Sequence, residues 1–230
     1  MAKDSKKLKK LILPRTKTYI PGFDKIVDGG LPKKDTILLA GPTGIGKTIF
    51  ALQFTINGIK KEKIPTVFLT FEESADQIRE TALTLGWDLK KYEDAGLLVL
   101  IEYDPYRIED IMEIIEGYIK KLKARRLVID SISSLDMYIR EESEIRDMII
   151  QLDNIVRRNE CTALFISEMN DEKLSRFGVE EFITDGVIVM NRRRDGDNLT
   201  REIYILKMRG VNHSTKIHTF KITHNGIAVG

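Results

Sequence analysis

The chain has 230 residues, is 42% hydrophobic and 31% charged, and carries a formal net charge of +2. That length suits one large domain rather than two, and the apolar share is enough for a full core. No apolar run reaches the ~18 residues of a membrane-spanning helix and no signal-type hydrophobic segment follows the N-terminus, so a soluble cytoplasmic protein with no membrane role is expected.

In chain order, residues 1–17 come first, with seven basic side chains (Lys3, Lys6, Lys7, Lys9, Lys10, Arg15, Lys17) against Asp4, while residues 18–230 hold 30 bases and 34 acids. The segment reads as a solvated basic tail, and residues 18–230 as a single domain. Residues 36–40 form an apolar strand that runs into Gly41-Pro42-Thr43-Gly44-Ile45-Gly46-Lys47-Thr48, and a helix pattern covers 48–60. Strands are expected at 66–71, 97–101, 127–129 and 162–166, with helices around 75–85, 108–123 and 144–158. Ile108, Ile111, Met112, Ile115, Ile119 and Leu122 keep the 3/4 spacing of one apolar helix face. Short unbroken apolar strands separated by helices predict a mostly parallel sheet covered on both faces. Cys161, the single cysteine, stands beside a buried-strand pattern and reads as a packed thiol. After about residue 183 the pattern changes. Residues 187–190 and 202–206 flank a Gly/Asp turn, and 219–223 and 227–229 flank His224-Asn225-Gly226, which predicts an antiparallel β extension on the edge of the α/β core.

The stretch 41–48 is a complete G-x-x-x-x-G-K-T phosphate loop in its strand–loop–helix setting. Its glycines let backbone N–H groups face phosphates. Thr43, Gly44, Ile45 and Gly46 would wrap the nucleotide, Lys47 would place a charge toward the β- and γ-phosphates, and the Thr48 hydroxyl would bind Mg²⁺. Asp130 ends a short apolar strand and is the expected second Mg²⁺ element. Glu72 and Glu73 follow another strand, where γ-phosphate hydrolysis needs a carboxylate to orient and deprotonate water. The same pair also suits the first turn of the next helix; of the two, the reading leans to Glu73 as base. Ser167 and Glu168 sit at a strand exit that suits either a γ-phosphate sensor or a plain turn. Lys207 and Arg209 in Lys207-Met208-Arg209-Gly210 share one face of an extended strand and could clamp charge on a transferring phosphoryl group.

This ordered set resembles the RecA-superfamily ATPases, and most closely the KaiC-type domains of the circadian-clock ATPase and their single-domain archaeal relatives. The likeness runs from Thr18 to Val229. It is carried by Gly22-Phe23-Asp24, Gly29-Gly30-Leu31-Pro32, the phosphate loop, Thr70-Phe71-Glu72-Glu73, Gly86-Trp87-Asp88, Ile129-Asp130-Ser131, Gly178-Val179-Glu180-Glu181-Phe182 and Lys207-Met208-Arg209-Gly210. The resemblance implies a RecA-like P-loop core, ATP with Mg²⁺, and a homohexameric ring with nucleotide between neighbours. It implies Glu72 and Glu73 as the catalytic pair and Thr84 as a nucleotide contact. It further implies Lys207 and Arg209 as catalytic groups reaching a neighbour's γ-phosphate, with Met208, Val211, His213, Thr223 and His224 as further contacts in trans. The clock protein's second domain carries a phosphorylated Ser-Thr pair where this chain reads Glu181-Phe182, so neither autophosphorylation nor a circadian role is expected.

Two other readings compete with an ATP hydrolase. A RadA-type recombination accessory would bind DNA through 131–146 and 168–182, but the second segment holds Glu168, Asp171, Glu172, Glu180 and Glu181 against Lys173 and Arg176, and an acidic loop repels phosphate. The basic tail and Arg192–Arg194 are the features that favour nucleic acid. A slow-turnover nucleotide switch is opposed by intact Glu72, Glu73 and Asp130.

Overall fold

The computed structural model describes residues 13–103, 110–137, 139, 141–169 and 173–230. Of the features read from sequence, most of the basic tail, Ile108, Asp171 and Glu172 lie outside the described residues. The described chain begins with a short antiparallel pair, β1 (Arg15–Thr16) and β2 (Leu31–Pro32), around one helical turn, α1 (Phe23–Ile26). Asp24 fixes that loop: Oδ1 accepts the Thr18 N–H at 3.0 Å and hydroxyl at 2.7 Å, and Oδ2 accepts the Tyr19 N–H at 3.0 Å. Such side-chain-to-backbone bonds have no hydrophobic period, so pattern reading passes over them. Thr16 is buried, paired with Leu31 on β2.

Next come β3 (Thr36–Gly41), α2 (Lys47–Glu62), β4 (Thr66–Thr70), α3 (Ala75–Thr84), α4 (Lys90–Asp94) and β5 (Leu98–Glu102). They are followed by α5 (Ile111–Leu122), β6 (Arg126–Asp130), a 3-10 helix (Ile132–Met137), α6 (Glu142–Arg158), β7 (Thr162–Glu168) and α7 (Glu180–Ile183). The chain ends in β8 (Gly186–Asp195), β9 (Asn198–Met208), β10 (His218–Thr223) and β11 (Gly226–Val229). α3 starts at a capping box: the Gln77 N–H donates to Ser74 Oγ and the Ser74 N–H to Gln77 Oε1. α2 and α5 stop where Lys63 and Lys123 turn left-handed, at φ 57 and 54°.

One sheet organises the molecule, in the order β11-β10-β9-β8-β3-β7-β6-β4-β5. From β5 to β8 every pairing is parallel, and β9, β10 and β11 add antiparallel, as the alternation of strand and helix patterns predicted. The hairpin differs in two respects. It continues the central sheet, because β8 is the parallel neighbour of β3. It is also longer than its apolar stretches: β8 runs through Asp195 and β9 starts at Asn198, but residues 191–199 are exposed and polar enough to lack a strand pattern.

Helices cover both faces. Phe23, Phe50, Phe54 and Trp87 build the core on the α2 face, while Ile111, Ile115, Ile119, Ile149 and Leu152 build it on the α5–α6 face. Cys161 packs against the second core, its Sγ donates to Ala124 O at 3.2 Å, and burial pushes the thiol up to about 12, a packed thiol as expected. Arg126, at the start of β6, is fully buried: its guanidinium stacks 4.2 Å from the Phe54 ring centre and donates to Phe54 O and Lys17 O, tying the N-terminal segment to the sheet. The register sets Gly41 beside Glu168 and Thr70 beside Asp130, so the C-terminal ends of β3, β7, β6 and β4 meet at one rim.

Candidate active site

β3 delivers Gly41 to that rim and the chain turns through the loop into α2. Gly44 and Gly46 take φ 72 and 113°, values that L side chains rarely adopt. Lys47 is 8% exposed, and its ammonium donates to Gly41 O at 2.9 Å and Pro42 O at 3.1 Å. Burial lowers its pKa, against the pull of Glu168, Asp130 and Glu72. Thr43 is held from two sides: its hydroxyl donates to Glu168 Oε1 at 2.7 Å, and its carbonyl accepts from Arg192 Nη2 at 2.7 Å. The loop lines a cleft of about 280 Å³ together with Glu72, Glu73, Asp130, Ser131 and Glu168. That is the small end of ligand clefts.

Asp130 is 7% exposed, and its Oδ2 has no hydrogen-bond partner. Burial raises its carboxyl to about 7; a hydrogen bond with Thr48 opposes the rise and the charges of Glu72 and Glu73 add to it. An orphaned buried oxygen beside the Thr48 hydroxyl fits a divalent cation that takes its remaining ligands from phosphate and water. Among the described residues no group of three His, Cys, Asp or Glu side chains could cage a metal alone.

The two glutamates differ. Glu72 Oε1 accepts from the hydroxyls of Ser131 and Ser134, the latter at 2.6 Å. Glu73 lies on the cleft wall with no hydrogen bond to its carboxylate from the described residues, and burial, then Glu72, raises its pKa. Glu73 is the freer of the two carboxylates. Glu168 lines the cleft, whereas the Ser167 hydroxyl donates to the buried Glu180 Oε1 at 3.0 Å and turns inward.

Lys207 and Arg209 are nowhere near this cleft. Met208 pairs with Gly186 and Gly186 with Ile37, and the Arg209 N–H donates to Asp185 O, level with Thr36. Thr36 lies five residues before Gly41 on β3, about 16 Å at strand rise. The cation pair therefore sits at the opposite rim of its own sheet. Burial lowers the Lys207 pKa, and Arg209 lowers it further. The Met208 side chain is 4% exposed, packed in the core. Val211 packs on the same core, and His213 Nδ1 lies 3.0 Å from Ser214 O in the loop beyond β9.

Thr223 and His224 lie by this chain's own phosphate loop rather than at the far rim. Ile222, the residue before them, lines this chain's cleft, and Gly226 abuts Gln53 on α2 and Trp87, which adds a cis position to the neighbour contact expected of them. Thr84 is exposed at the end of α3, its hydroxyl donating to Thr81 O at 2.7 Å. Sequence reading missed Arg192 as a loop residue, Ile222, and the Ser131–Ser134 pair on Glu72. Of the segments suited to DNA contact, Ser131, Ile132, Ser133, Ser134 and Leu135 are buried, and so are Ser175 and Glu180. Among the described residues no helix is long and apolar enough to cross a membrane.

A family model described as "ATPase: KaiC" matches residues 16–230. A UPF0273 protein of Pyrococcus furiosus is 34% identical over 234 residues, covering 94% of this chain and 93% of that protein. The circadian clock oscillator protein KaiC of Parathermosynechococcus lividus is 34% identical over 229 residues, 94% of this chain and 42% of that protein. The crystal structure of a KaiC-like protein from the hyperthermophilic archaeon Pyrococcus horikoshii superposes with a TM-score of 0.89 at 39% identity, covering 95% of this chain and 100% of that one.

Proposed function

The chain belongs to the KaiC ATPase family of the RecA superfamily, and on that premise we propose that it hydrolyses ATP to ADP and phosphate at Mg²⁺-dependent sites completed between neighbouring copies of a hexameric ring. The observation that carries this reading is the split of the machinery between two rims: loop and acids at one, Lys207 and Arg209 at the other.

In the proposed site the backbone N–H groups of residues 43–48 and the Lys47 ammonium bind the β- and γ-phosphates. Thr48 and Asp130 hold Mg²⁺, which when bound offsets the charge building on the phosphate oxygens. Glu73 takes the proton of the attacking water, and Glu72, fixed by Ser131 and Ser134, shapes the same wall. Thr84, Thr223 and His224 edge the cis side, where the base would lie. Lys207 and Arg209, with the backbone around Met208, Val211 and His213, close over the γ-phosphate of the adjoining copy.

Phosphate release from Mg²⁺–ATP by the full chain tests the reaction, with Lys47→Ala as control, and light scattering with and without Mg²⁺–ATP tests the assembly. Turnover abolished by Lys47→Ala and a hexamer mass are expected. A monomer under both conditions removes the shared site; a hexamer without turnover leaves a nucleotide-binding switch.

A further inference from the structure

We propose that Asp185 is a positioning residue for Arg209, holding its guanidinium so that one two-donor edge faces outward for the phosphate of an adjoining copy. The inference rests on the shared-site reading above.

Asp185 is 4% exposed and stands between the end of α7 and the start of β8. Its backbone is locked on both sides: its N–H donates to Thr36 O and its carbonyl accepts from the Arg209 N–H, both at 2.9 Å. Its Oδ2 accepts from the Thr36 N–H at 3.2 Å and from Arg157 Nη2. Arg157 is itself held by Asp153 Oδ2 at 2.8 Å and lies 3.9 Å from Asp35. Asp185 Oδ1 is thus a fixed acceptor, and Arg209 Nη1 donates to it at 3.0 Å.

Arg209 makes two further bonds, Nη1 to Ile183 O at 3.3 Å and Nη2 to Phe182 O at 3.1 Å. A guanidinium has five donor hydrogens. Among the described residues three are engaged, and those left are on Nε and Nη2, the atoms of the side-on edge that grips a phosphate with two parallel bonds. The side chain remains 53% exposed. An arginine that is pinned yet open on its bidentate edge has lost its rotamer freedom on folding, so less is lost on meeting phosphate. A plain ion pair would not need two backbone carbonyls and a buried carboxylate to hold one surface side chain.

The test mixes two full-length variants. A Glu72→Gln/Glu73→Gln copy keeps Arg209 but lacks its own acids, and an Arg209→Ala copy keeps the acids but lacks the cation. Mixing them restores ATP hydrolysis when Arg209 acts across the interface. Adding Asp185→Asn to the first copy is expected to lower the restored kcat by about tenfold or more with KM for ATP within about twofold, while Asp185→Asn added to the Arg209→Ala copy changes nothing further. Asp185→Glu, which keeps the charge toward Arg157 and Arg209 but shifts the carboxylate by one methylene, serves where the asparagine variant does not fold, and is also expected to lower kcat. Restoration undiminished or increased by either substitution overturns the positioning role. No restoration from the unmodified pair overturns the shared site and this inference with it.

Discussion

Ile222 seals Gly46: the Ile222 Cδ1 lies 2.8 Å from where a Cβ on residue 46 would stand, and Gly46 holds φ 113°. A strand from the C-terminal extension thus packs on the loop at the other end of the sequence. Gly46→Ala is expected to cost about 1–3 kcal/mol and to abolish nucleotide binding, since steric contact and backbone strain act together. Adding Ile222→Ala relieves the contact but not the strain, so stability returns in part and binding does not. Denaturant unfolding and titration with a fluorescent ATP analogue check both; a Gly46→Ala protein that binds like the parent refutes the assignment.

Glu73→Gln is expected to lower kcat by about 10²–10⁴-fold with little change in KM. Glu72→Gln is expected to cost less, because its amide oxygen still accepts from Ser131 and Ser134. The Glu73 carboxyl is raised by burial and then by Glu72, so the rate is expected to fall as pH drops through that raised value, where the base is protonated. Single-turnover rates across pH for both variants decide the order; equal losses would leave no single base.

Asp130 trades stability for its site. Its folded carboxyl titrates at about 7 because of burial, above the ordinary aspartate value, so the folded state keeps a proton that the unfolded chain has lost. Stability from this group is full at low pH and declines as pH rises from about 4 through 7, by on the order of 4 kcal/mol at most. Asp130→Asn is expected to flatten that slope and raise Tm at pH 8 by several degrees while abolishing Mg²⁺-dependent turnover. Thermal unfolding across pH without nucleotide measures it, and an unchanged Tm at pH 8 would count against the orphaned charge.

Arg126→Ala removes the stack on Phe54 and the hydrogen bonds to the carbonyls of Phe54 and Lys17. The expected loss is about 2–5 kcal/mol, the range for emptying a large side chain out of a core. Limited proteolysis should then cut first near residues 13–20, which are freed from the sheet; cleavage elsewhere first would show that the segment has other anchors.

Contiguous chemistry was legible in the sequence, and chemistry assembled across the sheet was not. The loop at 41–48 declares itself because every phosphate-facing group is local. The strands of the parallel core declare themselves because burial on two faces demands unbroken apolar runs. Arg192 and Ile222 gave no sign, since strand order alone brings β8 and β10 to the loop. Ser131 and Ser134 carried no sign of a role on Glu72, because that contact joins the ends of two different strands. Arg126 begins a strand with a charge that reads as surface, and nothing local reveals the carbonyls that make its burial tolerable. Lys207 and Arg209 were read as a clamp from spacing, but their distance from their own loop emerges only from the pairing of β9, β8 and β3.

In the proposed ring the two rims would give each copy a head and a tail. Contacts made head to tail are not self-complementary, so a pair joined this way always leaves one head and one tail bare. An open row of copies holds one finished site fewer than it has members, and only closure on itself finishes them all. Under that proposal activity per chain should climb steeply with protein concentration and level off at closure, so that dilution alone would switch it off.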